Sequence, residues 1–241
     1  MHRPLSFYKD MKRIIFVSNE IQDEIAGLLE GFGEVRMLPP HKDLPNPIAS
    51  HADILTFVDG GGTLYTPKDY FADNRELFEG ARVHTVDECL GKEYPEDIYL
   101  DALGFKEHIL CRSLYTAKAI KEGKNIVEVK QGYAKCSVCL LGETGAITAD
   151  RGLASALEKL GAKVLVISSG GIGINTYSYG FIGGASAVID KTVVFFGNVK
   201  DHPDGSRILD FVESMGYNAV YPEDHALADY GSAAVVYKEE K

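Results

Sequence analysis

No apolar run in this chain approaches the ~20 residues that a helix needs to cross a bilayer, so no membrane partner is expected. Basic residues are outnumbered, with 25 Lys and Arg against 35 Asp and Glu, for a formal charge of −10. That deficit argues against broad binding to a phosphate backbone, and hence against nucleic acid as a partner, and suits a small cationic ligand. Cysteine is scarce: Cys89, Cys111, Cys136 and Cys139 form no secreted disulfide framework. Cys136-Ser-Val-Cys139 has no second pair at zinc spacing. The triple glycine Gly60–Gly62 is not followed by Lys-Ser/Thr, and no G-x-G-x-x-G opens a helix, which disfavours phosphate and dinucleotide loops. No metal or organic cofactor is expected. The opening MHRPLSFYKDMKR lacks the apolar core of a secretory leader. Residues 1–10 are read as an extension, residues 11–241 as a single domain, and the protein as cytoplasmic.

What is present is a repeated local pattern. The stretch from Lys135 to Ile167 carries two apolar runs, Cys136–Leu141 and Ala146–Thr148, around a Gly-Glu-Thr-Gly turn, which reads as a hairpin. Asp150 then caps a helix with Leu153, Ala156, Leu157 and Leu160 on one face. Gly161 stops it, and the run Val164–Ile167 closes the unit. The same strand–strand–helix–strand order is expected from Ala52–Val58, Asp97–Leu103 and Ala185–Ile189 onward, with first strands recurring every 40 to 48 residues, a spacing typical of repeat architectures. Arg13–Ser18 opens a unit without a first strand, its helix capped by Ser18 or Asn19. Ser232–Tyr237 is a strand without a helix. Pairing the two completes a fifth unit and leaves no open edge.

A closed ring of five such units resembles the pentein fold, the α/β propeller of the guanidino-group-modifying enzymes. The phrases HADI at His51–Ile54, YPEDIYLDA at Tyr94–Ala102, VKQGYAKCSVC at Val129–Cys139 and YGFIGG at Tyr179–Gly184 resemble an uncharacterised bacterial group of that fold. The resemblance implies first strands around a central axis and a site at one mouth of it. It also implies chemistry in which a cysteine attacks a guanidinium carbon, as in hydrolases and amidinotransferases. Non-catalytic relatives that bind a macromolecular partner are the alternative. The cysteine of those enzymes lies near the C-terminus, where this chain has Tyr230-Gly231-Ser232-Ala233, and their histidine lies in a middle unit, where this chain has Lys135-Cys136.

In a ring, the residues leading into each first strand converge. They are His51 and Asp53; Tyr94, Glu96 and Asp97; Lys130, Gln131, Tyr133, Lys135 and Cys136; Tyr179 and Phe181; and His225, Asp229, Tyr230 and Ser232. Cys136 is the nucleophile candidate, with Lys135 beside it to lower its pKa. His225 or His51 would move protons. Asp97 is placed with the catalytic group, and Asp53 and Asp97 would hold a guanidinium or amine by charge-assisted hydrogen bonds. His51, Asp53, Lys135, Tyr133, Asp229 and Tyr179 are read as the substrate-binding set. The glycine-rich Ser168–Ile174 and Phe181–Gly184 would let backbone turn sharply or approach the axis.

Overall fold

The computed structural model describes residues 12–238; the extension at residues 1–10 lies outside them. Strand β1 (Arg13–Ser18) leads through α1 (Asp23–Glu30) to β2 (Glu34–Leu38), which runs parallel to β1. A single helical turn, α2 (Ala52–Leu55), precedes the hairpin of β3 (Phe57–Val58) and β4 (Leu64–Pro67). Helix α3 (Lys68–Asp73) and β5 (Val83–Val86) follow. The third unit is β6 (Leu103–Phe105), β7 (His108–Cys111), α4 (Lys118–Lys121) and β8 (Asn125–Glu128). The fourth is β9 (Val138–Leu141), β10 (Gly145–Thr148), α5 (Arg151–Lys159) and β11 (Lys163–Val166). The fifth is β12 (Ser186–Ile189), β13 (Thr192–Phe195), α6 (Gly205–Ser214) and β14 (Asn218–Val220), and β15 (Ala233–Tyr237) ends the series.

These strands form five three-stranded sheets, each with an antiparallel first pair and a parallel second pair. In the first sheet β15 pairs antiparallel with β1, from Arg13 opposite Tyr237 to Val17 opposite Ala233. The expected joining of the two incomplete ends is therefore present.

The hydrophobic core is divided among the seams. Ile14 and Phe16 pack with Leu55, Leu64 and Phe78 between the first and second sheets. Phe57 and Val86 meet Leu100 and Ile109 between the second and third. Leu103 and Leu110 meet Val138 and Leu157 between the third and fourth. Leu141 and Ile147 meet Val193 and Phe195 between the fourth and fifth. The circuit returns where Ile189, Val194 and Phe196 meet Ile15, Val17 and Ile25. Alternate residues of β1 thus serve opposite seams, as the two-residue period of a strand requires. Burial on both faces explains why the strand reads as a continuous apolar run.

Local signals behave unevenly. Asp150 caps α5 by accepting the Leu153 amide at 2.7 Å, worth ~1 kcal/mol. Gly60–Gly62 forms the β3–β4 turn, where Asp59 accepts the Gly61 and Thr63 amides. Neither Ser18 nor Asn19 caps α1. Its N-terminal flank is Gln22, and Ser18 instead bonds Ser50 at 2.6 Å. The first strands are shorter than their apolar patterns predict. Ala52–Leu55 is helical, Asp97–Ala102 is irregular, and Cys136–Ser137 is a turn.

Candidate functional site

Shortening the first strands turns their leading residues into short connections that end at the axis. Buried carboxylates hold these connections by accepting backbone N–H groups, a competition with strand pairing open to aspartate. Asp101 accepts the amides of Lys135 at 2.6 Å and Cys136 at 3.3 Å, joining the third unit to the fourth. Asp229 accepts those of Phe181 at 2.8 Å and Gly231 at 2.9 Å. The Cys136 thiol donates to Asp53 Oδ2 at 2.8 Å, tying the fourth unit to the second. Lys135 Nζ donates to Ser232 Oγ at 2.9 Å, and that hydroxyl donates to the Ser186 carbonyl, also at 2.9 Å. Gly184 must be glycine here, because a Cβ on it would fall 2.0 Å from Asp229 Oδ1.

The electrostatics of this knot are only partly compensated. Burial, reinforced by Asp53, pushes the Asp101 carboxyl well above its ordinary range. Burial raises Asp229 to about 6, with His51 opposing the shift and Asp53 adding to it. Burial also raises Asp97, against the hydrogen bond from Tyr133. The Cys136 thiol is pushed up by burial and then by Asp53, Asp229 and Asp101. Lys135 therefore does not make Cys136 a thiolate, contrary to expectation: its ammonium is turned to Ser232 while three carboxylates face the sulfur. Among the described residues, Asp53 Oδ1, Asp97 Oδ1, Asp101 Oδ2 and His51 Nδ1 are buried without a hydrogen-bond partner. A native interior rarely leaves such atoms unmatched, since each costs ~1–3 kcal/mol.

Two surroundings flank the knot. On the side of the leading connections is an aromatic cluster in which Tyr133 lies 5.9 Å from Tyr94 and 6.1 Å from Phe181, ring centre to ring centre. Phe181 in turn meets Tyr179 edge-on at 6.3 Å, and Tyr94 and Tyr179 are 47% and 44% exposed. On the side of the hairpin turns, a cavity of about 1070 Å³ is lined by Asp59, Lys106, His108, Glu143 and Asp190, with Lys135 and Ser232 also on its wall. A smaller cavity of about 150 Å³ is bounded by Asp53, Thr56, Gly104, Lys135 and Ala233.

The structure brings together Cys136, Asp53, Asp229 and His51, with Lys135 on Ser232 and Tyr133 on Asp97. Tyr179 stands on the aromatic rim. His225 is placed elsewhere: its Nε2 lies 2.7 Å from Glu24 Oε2 on α1. Asp101 was not among the expected residues. Its signal was legible, since Asp97 and Asp101 recur at even spacing within an apolar stretch.

A family model described only as a family of unknown function, DUF6873, matches residues 16–234. The chain belongs to the DUF6873 family. No curated protein matches it. This DUF6873 member is similar in structure to the DDAH of Pseudomonas aeruginosa solved with citrulline, with a TM-score of 0.56 and 11% identity over 94% of this chain and 99% of that one. It is similar to the product-bound N-terminal domain of ArgZ, an arginine dihydrolase of the ornithine–ammonia cycle in cyanobacteria, with a TM-score of 0.58 and 13% identity over 96% and 98%. It is also similar to SxtG, an amidinotransferase of saxitoxin biosynthesis from Microseira wollei, with a TM-score of 0.53 and 11% identity over 96% and 95%. At such identities the likeness is one of fold, and the fold of this DUF6873 chain is the pentein propeller. Among the described residues no helix is long and apolar enough to cross a membrane.

Proposed function

We propose that the protein binds and transforms a small guanidino- or amino-acid-like cation at the propeller axis. The observation that carries this reading is the set of buried carboxylate oxygens without donors, Asp53 Oδ1, Asp97 Oδ1 and Asp101 Oδ2. A guanidinium brings a positive charge and five N–H donors in one plane, which is what those acceptors lack. Structural neighbours described as an arginine dihydrolase and an amidinotransferase support the substrate class.

Cys136 is the nucleophile in this proposal. A bound cation offsets the carboxylates that hold the thiol protonated. The thiol proton then passes to Asp53 Oδ2, already its hydrogen-bond partner. Sγ bonds to the guanidinium carbon, and a C–N bond breaks as the departing nitrogen takes a proton, which His51 is placed to relay. Water or a second amine next adds to the carbon, and the C–S bond breaks to return the thiol. Water gives a hydrolase and an amine gives a transferase.

Calorimetric titration with arginine, agmatine and N-methylated guanidines, with neutral citrulline as control, tests this reading. Cations should bind, and Asp53→Asn should weaken them at least tenfold. If no guanidino cation binds, the reading fails. If cations bind and turn over equally in Cys136→Ala, the nucleophile assignment fails.

A further inference from the structure

We propose that His51, Cys136 and Asp229 form a binding site for one divalent metal ion of the zinc class, with Asp53 beside it as the hydrogen-bond partner of Cys136. Each of the first three offers one ligand atom, and these atoms lie within 4.8 Å of one another. All four residues are at least 96% buried. His51, Cys136 and Asp229 come from separate parts of the chain: the connection before α2, the turn before β9 and the approach to β15. This is why no metal-binding spacing is visible in the sequence.

The separations favour an ion over a hydrogen-bond network. His51 Nδ1 lies 3.9 Å from Asp229 Oδ1 and 4.0 Å from Asp53 Oδ1. Both gaps are too long for a hydrogen bond, and both His51 Nδ1 and Asp53 Oδ1 lack a partner. Two bonds of ~2.0–2.2 Å at a tetrahedral zinc ion span ~3.3–3.6 Å, so His51 and Asp229 would need to close by a few tenths of an ångström. One sulfur, one imidazole nitrogen and carboxylate oxygens suit zinc and its neighbours, whereas magnesium and calcium select all-oxygen sets.

The surroundings hold these ligands in place, as outer contacts do at metal centres. Both oxygens of Asp229 are oriented by backbone amides, from Phe181 and Gly231. Gly231 lies so close to the imidazole that a Cβ there would come within 2.3 Å of His51 Cβ and Cγ. A second cluster, His41 with Asp43 and Asp69, makes a useful contrast. There both ring nitrogens are already engaged, with Asp69 and with the Asp43 amide, and neither aspartate is buried.

The metal site stands on its own donors and does not require the guanidino reading. Where that reading also holds, the two occupants share the Cys136 sulfur and exclude each other.

The test is titration of chelator-treated full-length protein with Co²⁺, read by absorption and calorimetry without any guanidino compound. The expected result is one equivalent bound, with a thiolate-to-cobalt charge-transfer band that Zn²⁺ abolishes. Cys136→Ser should remove the band, and His51→Ala should weaken binding by tenfold or more. Cys89→Ser and Cys139→Ala should leave the band in place. Absence of the band from the wild-type protein, or its survival in Cys136→Ser, would overturn the proposal. The wild-type measurement decides even if a variant fails to fold. Failure here leaves cation binding by arginine or agmatine to be judged separately.

Discussion

Asp204 and Asp101 begin alike and end opposite. Each accepts a backbone amide from a neighbouring segment at 2.6 Å, Asp204 from Ser168 and Asp101 from Lys135. Arg207 closes on the other oxygen of Asp204, and these bonds hold its carboxyl down at about 2. Among the described residues nothing donates to Asp101 Oδ2, which lies beside Asp53, and burial holds its carboxyl well up against the pull of Lys135. The same residue with the same first contact is a fastening in one place and an unfilled demand in the other. The difference lies in whether the fold supplies the counter-charge. Where it does not, a ligand is the natural source.

The contrast is most severely strained by Cys136→Ala, which should reduce guanidino turnover to background while leaving ligand affinity within a few-fold. Assays of rate and affinity on one preparation would show a parallel loss if the cysteine only shaped the pocket. Next in size is Asp53→Asn. Removing one charge-assisted partner should cost about 1.5–3 kcal/mol of cation binding, with neutral analogues unaffected.

Stability should divide the two aspartates in the reverse sense. Asp204→Asn removes a charge that the folded state favours and should cost about 1–2 kcal/mol at neutral pH. Asp101→Asn removes a charge that burial and Asp53 disfavour and should cost less, although it is more deeply buried. Denaturant unfolding of both variants would refute the distinction if their order were inverted. The pH dependence follows the same signs. The folded pKa of Asp204 is depressed, so its contribution is present above ~4 and lost as pH falls toward 2. The folded pKa of Asp229 is raised to about 6, so its burial penalty is absent below ~4 and complete above 6. Unliganded protein should therefore gain stability from pH 7 to about 5, on the order of 1–2 kcal/mol, and lose it below pH 4. The smallest effect is expected from His225→Gln, which breaks a part-exposed pair with Glu24 and should change turnover less than twofold.

The ring itself was legible because its determinants are local or periodic. The Asp150 cap, the Gly161 stop and the glycine turn at 60–62 each specify their own few residues. The apolar run of β1 announces burial on both sides. The connections to the axis were less legible. Ala52–Val58 and Asp97–Leu103 are apolar enough to read as strands, yet Asp53 and Asp101 draw them out of the ladder through bonds to residues 83 and 34 positions away. Propensity cannot register a partner that distant. The same limit misplaced the histidine. His225 and His51 both precede first strands, and only the course of the chain turns one toward Asp229 and the other toward α1.

The seam between β15 and β1 makes the ring indifferent to where its chain begins. The Lys238 amide donates to the Lys12 carbonyl at 2.7 Å, so a short bridge between those residues with a new opening at Gly60–Gly62 should assemble the same five-sided enclosure. The order in which the segments are synthesised would change, and the acidic well at the centre would not.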